Sequence, residues 1–365
     1  MYIESMELKD FRNYEFLSLR FDKGTNIFYG DNAQGKTNIL EAVYLCGTTK
    51  SHRGSKDREM IRFHENESHI KLRINKGGIS HRIDMHLKKN KAKGIAIDGI
   101  PIRKAKELLG IVNIVFFSPE DLNIIKNGPG ERRRFLDSEL CQLNKIYLSD
   151  LFQYNHILNQ RNKLLKDIAQ KESLKSTLDI WDEQLVRYGA SVIRSRREFV
   201  CEMNEVIQRI HSSITGEKEQ IELIYEPNVE EEQFLEILLK NREKDFKFKN
   251  TSSGPHRDDM CVKINHIDIR KYGSQGQQRT AMLALKLASL EIAQEQTGES
   301  PILLLDDVFS ELDESRQKYL LESIDGLQAF VTCTGIEDSV RKYISRDNLF
   351  YVENGNIIPQ KENRH

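Results

Sequence analysis

Several things this chain of 365 residues does without narrow its class. Its five cysteines, Cys46, Cys141, Cys201, Cys261 and Cys333, are far apart and form no C-x-x-C pair. They read as reduced core thiols of a cytosolic protein. No apolar run approaches the ~20 residues that span a membrane, and Met1-Tyr2-Ile3-Glu4 does not read as a signal peptide. The expectation is a cytoplasmic protein without a membrane partner. An excess of one charge is also missing. Against 55 Lys and Arg stand 56 Asp and Glu, a formal net charge of −1. Global charge therefore does not announce nucleic acid, and any DNA-binding surface has to be a local patch. Low-complexity tracts and internal repeats are absent too. What remains is 38% hydrophobic and 30% charged, the balance of a soluble globular protein with many solvated helical faces. The length allows two domains, or one domain with a large insertion.

The organising stretch is Gly30-Asp31-Asn32-Ala33-Gln34-Gly35-Lys36-Thr37, which has the G-x-x-x-x-G-K-T spacing of a phosphate-binding loop. Asn26 to Tyr29 before it reads as an apolar strand. Asn38 to Leu45 after it reads as a helix, with Ile39, Leu40, Val43 and Leu45 on a buried face. Gly30 and Gly35 let the backbone curl close to an anion. Amides of the loop and of the first helical turn then point at phosphate. Lys36 supplies a point charge for the β- and γ-phosphates, and the Thr37 hydroxyl a ligand for Mg²⁺. Phe11-Arg12-Asn13-Tyr14 lies at a turn between two earlier strands. Thr48 to Arg53 is a polar, basic loop, either nucleotide- or DNA-facing or simply solvated.

Further along, residues 67–100 alternate as strands do, with Asp98-Gly99 as a hairpin turn. Ile111 to Phe117 reads as a strand buried on both faces. Ser118-Pro119-Glu120-Asp121 then starts a helix. After Gly128-Pro129-Gly130 the texture changes, and to about Lys240 there is little strand character and much helix former. Leu148, Leu151, Phe152, Asn155, Leu158 and Asn162 form one expected core-facing stripe. Leu178, Trp181, Leu185 and Tyr188 form another. The basic groups Arg132 to Arg134, Arg161-Lys163-Lys166 and Arg194-Arg196-Arg197 are either solvated faces or a DNA-facing surface. The division expected is an N-terminal core part at 1–129, an inserted helical lobe at 130–245 and a C-terminal core part at 246–365.

Near the C-terminus, Ser274-Gln275-Gly276-Gln277 precedes a long apolar helix. Ser274 can cap it and Gly276 leaves amides open, a second anion site. Ile302 to Leu305 reads as a buried strand ending in Asp306 and Asp307. Asp306 would hold Mg²⁺, and Asp307 would polarise an attacking water.

This order of parts, with Val308 to Asp313 following, resembles the ABC-type ATPases of the SMC and DNA-repair branch. Within it the chain is similar to the RecF family. Supporting phrases run nearly end to end: Leu8 to Tyr14, Gly30 to Asn38, Lys50 to Arg53, Phe117 to Leu122, Arg132 to Asp137, Gly254 to Asp259, Gly273 to Arg279 and Leu305 to Asp313. The resemblance implies an α/β fold: an ABC-type ATPase core, a P-loop NTPase with mixed sheets, carrying an inserted helical lobe. It implies ATP and Mg²⁺ as cofactors, with Ser274, Gly276 and Gln277 covering the γ-phosphate held by a second copy. One loop and one signature per chain then make a homodimer on ATP. By resemblance Arg12 lies near the nucleotide. The resemblance further implies slow, DNA-stimulated ATP hydrolysis acting as a switch. It also implies action at single-stranded gaps and single-strand/double-strand junctions of DNA, RecR and RecO as partners, and recombinase loading in repair, replication restart and the SOS response. The chain departs from the wider ABC pattern at Asp307, where a Glu is usual. It departs again in Phe330 to Gly335, which lacks the switch His and offers Thr332 or Thr334, and near Ser118 to Asp121, which lacks the usual Gln. The rival readings are a transporter cassette, a structural SMC-like protein, and a DNA-binding scaffold with a vestigial nucleotide site.

Overall fold

A computed structural model describes residues 1–168, 171–335 and 349–359. These fall into two compact units, residues 1–121 with 289–365, and residues 122–288. The second unit is wider at both ends than the expected lobe of 130–245. A short helix at Leu122–Lys126 extends it on the N-terminal side, and a three-stranded sheet and the start of the long signature helix extend it on the other.

The first unit begins with β1 (Tyr2–Phe11) and β2 (Tyr14–Arg20), joined by a turn in which Arg12 takes φ 54°. The strand β3 (Thr25–Tyr29) leads into the glycine loop, and α1 (Lys36–Thr48) leads out of it. Then come β4 (Glu67–Lys76), β5 (Ile79–Lys88), β6 (Lys91–Ile97) and β7 (Ile100–Pro101). With β1 and β2 they form an antiparallel sheet in the order β2-β1-β4-β5-β6-β7. Ile83, Met85 and Leu87 of β5 are buried, as alternation predicts. Asp98 and Gly99, at φ 53° and 82°, make the expected hairpin turn.

The strand β8 (Ile114–Phe117) is shorter than the apolar run suggests, and is buried throughout. It joins a second sheet with three elements from the far end of the chain: β12 (Ile302–Asp306), β13 (Ala329–Cys333), and the hairpin β14 (Leu349–Glu353) and β15 (Asn356–Pro359). The order is β15-β14-β3-β13-β12-β8, parallel except at β15. A helix, α10 (Glu314–Ser323), connects β12 to β13. Phe28 of β3 lies between Phe330 and Phe350 on the flanking strands, ring centroids 6.4 and 5.0 Å away and nearly parallel. Burial of each such ring is worth about 2–3 kcal/mol, so the strand that carries the glycine loop is held from both sides.

The second unit is built on α2 (Leu122–Lys126), α3 (Pro129–Leu143), α4 (Lys145–Ile168) and α5 (Leu178–Thr215). The strand β9 (Ile221–Glu226) corrects the expectation of little strand character. It pairs antiparallel with β10 (Asp259–Ile264), which pairs with β11 (Ile267–Asp268). The short helices α6 (Phe234–Lys240), α7 (Arg242–Phe248) and α8 (Ile269–Tyr272) complete the unit. The long helix α9 (Gln275–Thr297) begins there. On α4 the buried stripe is Tyr147, Tyr154, Ile157, Leu158, Arg161, Leu165 and Ile168, whereas Phe152 is exposed. The phase of the expected stripe was off because an arginine, and not only apolar residues, occupies the inner face.

That arginine corrects the reading of the basic groups. Arg161 is fully buried, donating to Asp182 (2.6 Å), Asp245 (2.8 Å) and Thr251 Oγ1 (2.9 Å). Arg196 of α5 is buried against Asp137, Asp258, the Tyr147 hydroxyl and the Pro255 carbonyl. Arg132 of α3 is buried and grips Asp259 with two nitrogens. None of the three is a solvated or DNA-facing side chain. Of the other named arginines, Arg133 is half-buried and donates to the Asp258 carbonyl, and Arg134, Arg194 and Arg197 are open to water. The phrase Gly254 to Asp259 is thus the acceptor block for two helices. A Cβ on Gly254, at φ 129°, would lie 2.5 Å from the Tyr154 hydroxyl.

Candidate nucleotide site

The loop's geometry follows from its two glycines. Gly30 has φ 142°, and a Cβ there would meet the Val352 carbonyl at 2.4 Å. Gly35 has φ 115°, and its Cβ would strike the Asn13 amide at 2.5 Å. Gly35 is also the N-cap of α1 and offers no side-chain cap, so the helix starts with amides left for a ligand. Lys36 folds back over the loop and donates to the Gly30 and Asp31 carbonyls, at 2.5 and 2.7 Å. Burial lowers its pKa, and the charges of Cys333, Asp307, Asp31 and Asp306 oppose that shift.

Two turns brace the loop from outside. From the β1–β2 turn, Asn13 Nδ2 donates to the Gln34 carbonyl (2.9 Å) and the Tyr14 hydroxyl to the Gly35 carbonyl (3.1 Å). From the β14–β15 turn, the Asn354 amide donates to Gln34 Oε1 (2.6 Å) and the Gly355 amide to the Gln34 carbonyl (3.1 Å). Sequence reasoning missed Asn13, Tyr14, Gln34's side chain and Asn354 in these roles. The phrase Asn13-Tyr14 was visible, but nothing in the spacing said that it touches a loop twenty residues on.

The carboxylates arrive at the carboxyl end of β12. Asp306 Oδ1 accepts from the Thr37 hydroxyl (2.8 Å) and from the Thr332 hydroxyl (2.7 Å). The oxygens of Thr37 and Asp306 therefore converge, as a pair that shares an octahedral oxygen-ligated cation must. This donor set fits Mg²⁺. Asp307 follows at φ 52°, its amide donating to Thr332 Oγ1 (3.0 Å). Burial raises the Asp307 carboxyl above its ordinary value, and the neighbouring Asp306 charge adds to this. Both effects make it a better proton acceptor.

These groups line an open cavity of about 470 Å³, within the size range of small-molecule sites. Besides the loop and the two acids, its walls carry Thr332, His52 and Arg53, and Ser118 to Glu120. The basic loop after α1 thus faces the cavity, and so does the segment that lacks the usual Gln. His52 rests on Phe116, ring centroids 4.4 Å apart, and burial pushes its pKa down to about 4, so it is neutral at physiological pH.

Arg12 packs on α1. Its guanidinium clasps the fully buried Glu41 of α1 through two bonds of 2.7 Å, and also reaches Ser55 and the Glu59 carbonyl. It does not line the cavity. Burial alone would raise the Glu41 carboxyl, but hydrogen bonds from Arg12 and Ser51 together with the Arg12 charge hold it below its ordinary value. Ser274, Gly276 and Gln277 belong to the other compact unit. Gln277's amide donates to Ser274 Oγ (3.2 Å), and Ser274's amide donates to Gln277 Oε1 (3.0 Å), a reciprocal capping box. Ser274, Gln275 and Gly276 are exposed.

A family model described as the RecF/RecN/SMC N terminal domain matches residues 2–355. The chain is 59% identical over 360 residues to the DNA replication and repair protein RecF of Lachnospira eligens, covering 98% of this chain and 99% of that protein. A solved structure of the recombination mediator protein RecF with ATP, in the RecFOR pathway, superposes with a TM-score of 0.92. It is 38% identical, with 99% of this chain and 98% of that one covered. The Smc head domain of Pyrococcus furiosus superposes with a TM-score of 0.57 at 18% identity, over 98% of this chain and 95% of that one. This second likeness speaks to fold alone: the architecture is that of an ABC-type ATPase core with mixed α/β layers.

Proposed function

The chain belongs to the RecF/RecN/SMC N terminal domain family, and within it to the RecF proteins, and from that premise we propose that it is an ATP-gated DNA clamp that serves as a recombination mediator. ATP and Mg²⁺ bind the loop. A second copy closes over the nucleotide with Ser274 to Gln277, and slow hydrolysis releases the pair. The observation that carries this reading is the convergence of Thr37 and Asp306 on one point beside Lys36, at 2.8 Å. A magnesium-bound triphosphate is the ligand that such a loop, hydroxyl and carboxylate accept together.

When bound, the metal neutralises phosphate charge. The residues do the rest. The loop amides and Lys36 hold the β- and γ-phosphates. Thr332 keeps Asp306 in place, and Asp307, its basicity raised by burial, orients the attacking water. The capping box satisfies the signature helix on its own, so its exposed Ser274 is free to approach a partner's γ-phosphate without a loss of helix stability. Sites of this composite kind respond to the nucleotide as a two-state switch. DNA at gaps and at single-strand/double-strand junctions is the substrate, and RecR and RecO are the partners, as the pathway name of the solved relative suggests. Loading of the recombinase places the chain in replication restart and the SOS response.

Sedimentation velocity tests the switch at matched protein concentration, without nucleotide, with ADP and with Mg²⁺·ATP. The expected result is a monomer that dimerises only with ATP and fails to do so as Ser274→Arg. A constant oligomeric state under all conditions would remove the clamp. In the same preparation Asp307→Asn is expected to bind ATP and stay dimeric, while turnover falls by roughly 10²- to 10⁴-fold. Wild-type turnover in that variant would refute the role given to Asp307.

A further inference from the structure

The antiparallel sheet of the first unit carries a group of side chains that the nucleotide site does not use. Glu67 and His69 lie two apart on β4, so both project from the same face. His86 of β5 is the direct cross-strand partner of His69. The two imidazoles lie face to face, centroids 3.9 Å apart and planes 25° apart. Both present Nε2 to the same carboxylate: His86 at 2.9 Å from one oxygen of Glu67, His69 at 3.8 Å from the other. One ligand atom from each residue lies within 4.8 Å of the other two. A tetrahedral zinc ion with bonds of ~2.0–2.1 Å sets its ligands ~3.4 Å apart, so the three need only close by about an ångström.

From this geometry we propose that Glu67, His69 and His86 form a surface site for a borderline divalent cation of the zinc class. Two imidazoles and one carboxylate suit such an ion and do not suit Mg²⁺, which prefers oxygen alone. The ligands sit on hydrogen-bonded strands, so their backbone positions are fixed before the ion arrives. Gly94 faces His86 from β6 and brings no side chain to cover it. Both histidines line an open cavity of about 540 Å³, so the remaining coordination positions open on solvent and take water or an external ligand. Two ammonium groups stand near, Lys88 at 4.0 Å from Glu67 and Lys9 in register with His69. They lower the affinity without occupying a ligand atom. Lys71 nearby is taken by Glu7, at 2.6 Å.

The test uses the full chain, stripped with chelator and titrated with Zn²⁺ against a chromophoric competitor, in excess Mg²⁺·ATP so that the nucleotide site is filled. One equivalent of Zn²⁺ is expected. His86→Ala and the isosteric, exposed Glu67→Gln should each weaken it by at least roughly tenfold, the lower end of what the loss of even an outer-shell partner costs a metal site. His81→Ala, on the same strand but paired with Asp98, should bind as wild type does. Co²⁺ in place of Zn²⁺ should show a nitrogen–oxygen spectrum without sulfur charge transfer, which separates this site from the exposed Cys201. No bound equivalent, equal affinity in Glu67→Gln, or a thiolate band would overturn the proposal.

Discussion

Lys36 and Arg161 are both cations withdrawn from water, and they are met in opposite ways. Lys36, in the first unit, is held by two neutral carbonyls of its own loop. Arg161, in the second, is held by two buried carboxylates and a hydroxyl. A cation held by carbonyls keeps its charge for an incoming anion. One enclosed by carboxylates has no charge left to offer, and its removal strands the acids. The same contrast runs through both units. Lys36, Asp306, Asp307 and Arg53 converge on an open cavity, whereas Arg132, Arg161 and Arg196 turn inward onto Asp259, Asp182, Asp245, Asp137 and Asp258.

Arg161→Met is expected to have the largest effect. It leaves Asp245 and part of Asp182 buried without a counter-charge, and should cost roughly 3–5 kcal/mol of stability in urea unfolding. Arg161→Met with Asp245→Asn should recover part of that loss. A single-variant cost near zero would place Arg161 among dispensable charges.

Asp306→Asn probes the other side of the contrast. The amide oxygen can still accept from Thr37 and Thr332, so the fold should keep its urea midpoint. The lost charge should weaken Mg²⁺·ATP binding by roughly 10- to 100-fold, read by fluorescent-nucleotide titration. An unfolded variant would make Asp306 a structural acid like those of the second unit.

Burial depresses His52 in the first unit and His256 in the second to about 4. His256 is fixed as a neutral ring between the Tyr154 hydroxyl (2.6 Å) and the Thr251 carbonyl (3.0 Å). Between the ordinary 6.5 and about 4 the unfolded chain binds more protons than the folded one. Stability from these rings is therefore complete above 6.5 and falls as pH descends toward 4. Urea midpoints should drop from near pH 7 to about pH 5, and drop less in His256→Gln. A flat profile over that range would contradict the burial of both rings.

The smallest effect belongs to Arg134→Glu. Its side chain is 74% exposed beside Glu131. Stability should move by no more than about 0.5 kcal/mol. If Arg134 touches DNA phosphate, the slope of log affinity against log salt should shrink by about 1. An unchanged slope would leave it a solvated residue.

Legibility followed the same divide. The strand, glycine loop and helix around Gly30 to Thr37 could be read because such a loop dictates residue types at fixed short spacings, and β12 with Asp306 at its end because the strand is a short apolar run. The role of Thr332 was half legible, as a polar residue where a His is usual. The inward arginines were not, because a run such as Arg132 to Arg134 looks the same whether it faces solvent or an acid 127 residues away. The strand β9 was missed for a related reason: Ile221-Glu222-Leu223-Ile224 is short, and only its pairing with β10 makes it a strand. Arg12 was placed near the nucleotide by resemblance alone; its pairing with Glu41 had no signal in the spacing.

The strand order has a consequence for synthesis. β3 sits inside its sheet between β13 and β14, so both of its neighbours come from residues 329–353. Thr37 and Asp306 are 269 residues apart in sequence. At roughly 5–20 residues per second, the ribosome delivers the loop some tens of seconds before either neighbouring strand. In that interval the glycine loop lacks the Asn354 brace, the Phe330 and Phe350 flanks and Asp306, the acceptor of the Thr37 hydroxyl. A nascent or truncated chain therefore exposes β3 as an unpaired apolar edge and cannot assemble a competent nucleotide site.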